Sequence, residues 1–206
     1  MRIAGFLSFP LALLASAACA ASLDVRASRS TSIANAACRF DAIGTAAGDD
    51  EVQTKRCPGL AYTRVIVTAA GTSVALGFDW PRSRPRAPAV AGIAVGWSLG
   101  QSLEWRGNLF QGFFKPDSVI VRVLFNKDGS RSIEHQVLAV IQVQSGSACL
   151  IGVVDMGADK TPHETAQRLA DAKAAVFACG RDVAGVAGPA TEWTGRVLER
   201  SGRAGE

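Results

Sequence analysis

The chain has 206 residues, 48% of them hydrophobic and 19% charged, with 22 Lys and Arg against 18 Asp and Glu for a formal charge of +4. That length suits one domain with a tail, and the apolar content excludes a wholly disordered chain. The charge is too small for a dedicated nucleic-acid binder; past the N-terminus no apolar run approaches the ~20 residues of a membrane-spanning helix.

Arg2 precedes an apolar stretch over 6–18, interrupted by Ser8, Pro10 and Ser16, and Ala18-Cys19-Ala20 follows as a small-x-small site. This pattern predicts a secretory signal peptide over 1–20, cleaved before Ala21, and a periplasmic or secreted protein with no transmembrane segment after cleavage. An uncleaved anchor and a lipoprotein acylated at Cys19 are the alternatives; Ser16-Ala17-Ala18 lacks the Leu usual before an acylated Cys. The odd count of five Cys then becomes even, because Cys19 leaves with the leader. Cys38, Cys57, Cys149 and Cys179 read as two disulfides of an exported protein. A metal site built from all four lacks the C-x2-C spacing such sites use.

Residues 21–37 are rich in Ser, Ala and Arg without a clear period and are expected to form a flexible leader. A β-branched run over 61–69 and an alternating run over 73–79 predict a hairpin. The Pro/Arg segment 81–88 cannot be a central strand. A Val/Gly-rich strand is expected over 89–97, a short strand over 103–106, and a loop over 108–117. Segments 119–125, 132–143 and 149–154 read as an antiparallel meander.

Thr161-Pro162-His163-Glu164 spells a capping box, with Pro at the first helical position. The helix it opens is expected to run to about 178, with Leu169, Ala172, Val176 and Cys179 on one stripe, Ala166 and Phe177 at its margins, Arg168 and Lys173 pointing away, and Gly180 as the C′ residue. A strand from Cys149 rises about 17 Å by Val154, and a helix over 162–179 is about 26 Å long. Returning antiparallel over the sheet, the helix ends near Cys149. That geometry favours Cys149–Cys179, and with it Cys38–Cys57, which closes a polar loop. Residues 183–206 form a tail, expected either to hold a short helix over 191–200 anchored by Trp193 or to be disordered.

Few polar residues stand out. Alternation puts Arg122 on one face with Ile120 and Leu124, where an unpaired charge is costly. The same alternation puts Glu104 and Arg106 opposite Leu103 and Trp105. Glu104, Arg106 and Arg122 therefore make either a cross-strand ion pair at a sheet edge or a small anion-binding site. His135 stands at the mouth of an apolar row. Asp155, Asp159 and His163 recur every four residues, but Gly157 and Pro162 interrupt the helix that a metal site would need, which favours turn and capping roles. Asp49-Asp50-Glu51 reads as a solvated acidic run. Arg82, Arg84 and Arg86, flanked by Trp80 and Trp97, combine residue types that favour interfaces and point to an acidic partner such as a lipid headgroup or an acidic protein. No P-loop, H-E-x-x-H or strand-following G-x-G-x-x-G occurs, and no cofactor or metal is implied.

Several of these segments recur together. Cys57-Pro58-Gly59-Leu60 runs into Tyr62 and a valine strand, and Leu103-Glu104-Trp105-Arg106 follows. Ala148-Cys149 then leads to Val153-Val154-Asp155. Thr165-Ala166-Gln167-Arg168-Leu169-Ala170-Asp171 comes next, and Phe177-Ala178-Cys179-Gly180-Arg181-Asp182 closes the series. This ordered set, spanning 38–182, resembles a family of small exported bacterial proteins of unknown function, whose members often carry a different residue where Leu150 stands. The resemblance implies export, the two disulfides and a domain over 38–182; it brings no activity.

The expected fold is α+β: a mostly antiparallel sheet of about five to seven strands, with one C-terminal helix packed on it and two disulfides. The expected function is an exported cell-envelope binding or interaction module, with an inhibitor and an anion-binding protein among its versions. The alternative is a small periplasmic hydrolase using Glu104 with His135 or Asp155.

Overall fold

The structure, a computed structural model, describes residues 25–41, 44–45, 51–71, 73–80, 89–95, 98–126 and 132–203. The leader over 1–20, Asp49, Asp50, Arg82, Arg84, Arg86 and Trp97 lie outside the described residues. In chain order the elements are β1 (Val25–Ser32), a 3-10 turn (Asn35–Ala37), β2 (Arg39–Phe40), β3 (Gly44–Thr45), β4 (Glu51–Pro58), β5 (Arg64–Ala70), β6 (Ser73–Asp79), β7 (Ala89–Val95), β8 (Ser98–Phe110), β9 (Phe113–Asn126), β10 (Ile133–Gln144), β11 (Ser147–Asp155), α1 (Pro162–Lys173), β12 (Gly185–Val186) and α2 (Glu192–Arg203).

Two sheets form, where one was expected. Sheet A has the order β1-β8-β9-β10-β11-β12; sheet B has the order β2-β4-β5-β6-β7, with β3 also paired to β4. All pairings are antiparallel except β11 with β12. Helix α1 covers one face of sheet A, and sheet B packs on the other. The central strands of sheet A are therefore buried on both sides, which is why they read as continuous apolar runs. Val119, Val121, Val123 and Phe125 meet sheet B, whereas Ile120, Leu138 and Val140 meet α1. Trp105 and Phe78, both fully buried, join the two sheets edge to face at 5.9 Å between ring centroids. Each such buried large side chain stabilises the fold by about 1.5–3 kcal/mol.

The hairpin β5–β6 and the three-stranded meander β9–β10–β11 form as expected, and so do both disulfides, Cys38–Cys57 and Cys149–Cys179. β8 extends the meander by a fourth strand, much longer than the short strand expected over 103–106. The expected leader is corrected by β1, which pairs with β8 from Val25↔Leu109 to Ser32↔Ser102. This edge strand is held by its ladder and by polar contacts, among them Trp105 Nε1–H donating to Thr31 Oγ1 at 2.8 Å, so it shows no hydrophobic period. The expected loop over 108–117 is instead the turn end of β8 and β9. Gln111 (φ 48°) and Gly112 (φ 80°) both lie in the left-handed region, as a tight type I′ hairpin turn requires. Pro116 is tolerated because the ladder shifts register beside it, between Arg106 and Gly107.

The one helix expected to pack on the sheet is joined by a second, α2, where a short helix or disorder was expected. Helix α1 stops at Lys173, and Gln142, 1% exposed on β10, explains the stop. Its side-chain NH2 donates to the carbonyls of Ala174 (2.6 Å) and Phe177 (2.8 Å), satisfying helix-end acceptors. The buried stripe is Ala166, Ala170 and Ala174, while Ala172 and Val176 are exposed, contrary to the expected stripe. Polar anchors turn the helix this way: Gln167 and Asp171 reach down to sheet A. Thr161 makes no side-chain cap; Asp159 accepts its N–H instead, at 2.7 Å. Within the expected tail, α2 docks beside sheet B, with Val197 and Thr194 fully buried and Trp193 packed on the core.

Candidate functional site

The residues singled out on the α1 face of sheet A separate into two groups. Glu104 accepts from Ser28 Oγ (2.6 Å) and Gln167 Nε2 (2.7 Å). Arg106 donates to Ser28 Oγ (2.8 Å) and pairs with Asp171, which also holds Arg26 at 2.9 Å. Arg26 pairs in turn with Asp117 and donates to Asn108 Oδ1 at 2.9 Å. The hydrogen bond that Arg26 donates to Asp117 is the main reason the Arg26 guanidinium is held above its ordinary value, against the opposing effect of burial. This network seats α1 on β1, β8 and β9, and its charges answer one another. Arg122 shares the face but is exposed and belongs to no such pair. The expected need for a partner is thus corrected: α1 leaves Arg122 in water, where its charge is solvated at no cost.

The opposite face of sheet A holds a second cluster. Asp155, 0% exposed at the end of β11, accepts at Oδ1 from the N–H groups of Gly157 (2.8 Å) and Ala158 (2.9 Å), and at Oδ2 from Thr191 Oγ1 (2.5 Å). His135 Nε2 lies 2.8 Å from Oδ2. Burial alone would raise the Asp155 carboxyl, but the bonds from Thr191, Ala158, His135 and Gly157 outweigh it and hold the group below the usual carboxylate range. The His135 ring stacks on Trp193 at 5.1 Å, and the Arg196 guanidinium lies 4.5 Å from the Trp193 ring. The cluster fastens α2 to sheet A. The expected pairing of Glu104 with His135 or Asp155 does not form; His135 and Asp155 pair with each other instead. Glu104 lies across the sheet, beside α1, and does not converge with His135 or Asp155. Asp159 caps a turn, and His163 is exposed.

A third place retains binding capacity. At one open end of the sandwich, a cleft of about 360 Å³ lies between the sheets. Ile33, Val67, Ala69, Val74 and Leu99 supply apolar walls, and Asn35, Gln53, Lys55 and Gln101 supply polar groups. Lys55 is half-buried there. Its ammonium donates to the Ile33 carbonyl (2.7 Å) and to Asn35 Oδ1 (3.0 Å). An ammonium has three N–H groups, and among the described residues the third has no acceptor and no carboxylate stands within ion-pair distance. Burial lowers the Lys55 amine below its ordinary value. A cation held by neutral oxygens against apolar walls is arranged to receive an anion.

Comparison of the chain with protein-family models, curated proteins and solved structures finds no match.

Sequence reasoning missed Lys55 because β4, Glu51–Pro58, reads as a polar loop. One signal could have found it: Cys57 is bound to Cys38 and buried, so Lys55, two residues earlier on an extended chain, faces the same way. The pentapeptide 96–100 also spells G-x-S-x-G. Ser98 opens strand β8, pairs with Leu124 and lines the cleft between the sheets. It sits on no strand-to-helix elbow of the kind a serine nucleophile uses. Trp80, expected at an exposed contact surface, packs half-buried against the core.

Proposed function

We propose that this chain is an exported binding module. It takes a small organic anion with an apolar body into the cleft between its sheets, with Lys55 as counter-ion. The observation that carries the reading is the Lys55 ammonium: half-buried, facing apolar walls, and given no carboxylate partner among the described residues. The cleft volume falls in the range of small-molecule sites, ~300–1,000 Å³. Two disulfides fit an oxidising, exported environment, and no described helix is long and apolar enough to cross a membrane. The resemblance to small exported proteins points the same way. Arg82, Arg84, Arg86 and Trp97 remain a proposed contact for an acidic envelope component.

Methyl NMR with hexanoate and its neutral isostere hexanamide tests the site. Hexanoate should shift the methyl signals of Val67, Val74 and Leu99, and hexanamide should shift them much less. Equal shifts from both, or hexanoate shifts confined to methyls elsewhere, would overturn the assignment.

A further inference from the structure

The longest hairpin among the described residues, β8–β9, ends in two phenylalanines that no described residue covers. Phe110 and Phe113 face each other across the Gln111-Gly112 turn, 47% and 77% exposed. Val25, 57% exposed, stands beside them opposite Leu109. An aromatic pair at the turn of a hairpin contributes nothing to the core, and its exposure to water is unfavourable. Cations flank it: Lys115 is exposed two residues beyond Phe113, and exposed Arg29 lies over the Phe114 ring at 5.9 Å from its centroid. The neighbouring carboxylate, Asp117, is taken up by Arg26. The tip is therefore apolar at its apex and positive at its shoulders.

β1 begins at Val25, beside this tip. The leader expected over 1–20 is no part of the exported chain, so the docking rests on the tip's own residues. We infer that the β8–β9 tip is a docking surface for an anionic lipid bilayer. Phe110 and Phe113 enter the headgroup region there, and Lys115 and Arg29 contact lipid phosphates. A shallow aromatic insertion supported by two cations gives reversible, salt-sensitive attachment.

The test is co-sedimentation of the chain purified from the exported fraction, its N-terminus read by mass spectrometry, with vesicles of phosphatidylcholine alone or mixed with phosphatidylglycerol. The wild type should pellet with the anionic vesicles and be released by added salt. F110S/F113S should weaken binding by roughly tenfold or more, and K115E by about fivefold. Both substitutions lie on exposed positions, and far-UV circular dichroism checks that the fold is kept. Undiminished pelleting of F110S/F113S would overturn the proposal, as would equal binding to both vesicle types. Sedimentation velocity without vesicles supplies the other arm: self-association that vanishes in F110S/F113S, with no vesicle binding by the wild type, would assign the tip to a second copy of this chain instead.

Discussion

The Lys55 ammonium lies 2.7 Å from the Ile33 carbonyl oxygen, so a side chain of sheet B holds the backbone just past the end of the edge strand of sheet A. The contact closes the floor of the cleft and uses one of the three ammonium hydrogens. In K55M the hydrogen bonds to Ile33 and Asn35 disappear, and so does the cost of partly desolvating a charge. The two effects oppose each other, each about 1 kcal/mol. Urea unfolding of K55M should therefore give a stability within about 1 kcal/mol of wild type. A loss above about 3 kcal/mol would make Lys55 a structural strut.

Asp155 predicts an acid limb in the stability curve. Its folded carboxyl titrates below the unfolded value of about 3.9, because hydrogen bonds from Thr191, Ala158, His135 and Gly157 overcome the opposing effect of burial. Below the unfolded value, the unfolded chain binds the extra proton and the folded chain does not. The stabilisation is thus complete above about pH 4 and is lost as pH falls through the lower, folded value. D155N keeps an oxygen acceptor for Gly157 and Ala158 but turns an NH2 toward Thr191 and His135 and removes the charge, and should cost about 1–3 kcal/mol at neutral pH. Denaturant unfolding at stepped pH should also show a flatter acid limb in the variant.

Gln142 predicts a helix-end defect. Q142L leaves the Ala174 and Phe177 carbonyls without the partners they have now. The expected loss is about 1–3 kcal/mol by thermal or urea unfolding. Cys149–Cys179 should still form, because the strand and helix ends still meet. An unchanged stability would show that water replaces the side chain.

What was legible in the residues follows a physical rule. The meander β9–β11 and the hairpin β5–β6 were readable because their strands are buried, and burial demands apolar side chains at fixed spacing. Cys149–Cys179 was readable because a helix antiparallel to β11 carries the chain back toward the start of that strand, even though α1 stops at Lys173, and Cys38–Cys57 is the pair that remains. Strands β1 and β4 were not readable, since their order comes from ladder bonds, a disulfide and salt links such as Arg26–Asp117, none of which leaves a hydropathy period. The face of α1 was misread for a related reason: Gln167 and Asp171, polar by type, point at the sheet because Glu104 and Arg106 wait there. Arg122 shows the converse. Its place among apolar neighbours was right, but only the extent of α1 decides whether that face is dry at Arg122. The cleft itself escaped notice because it is a relation between two sheets, and no local pattern records it.

The central claim is that Lys55 binds an anion. Calorimetric titration of hexanoate into wild type, K55R and K55M, repeated at rising pH, tests it most directly. The account predicts binding by wild type, a loss of about 10- to 100-fold in K55M, and partial retention in K55R. Because burial holds the folded Lys55 amine below its ordinary value of about 10.4, wild-type affinity should already be falling before that pH is reached. Equal affinity of wild type and K55M would contradict the account.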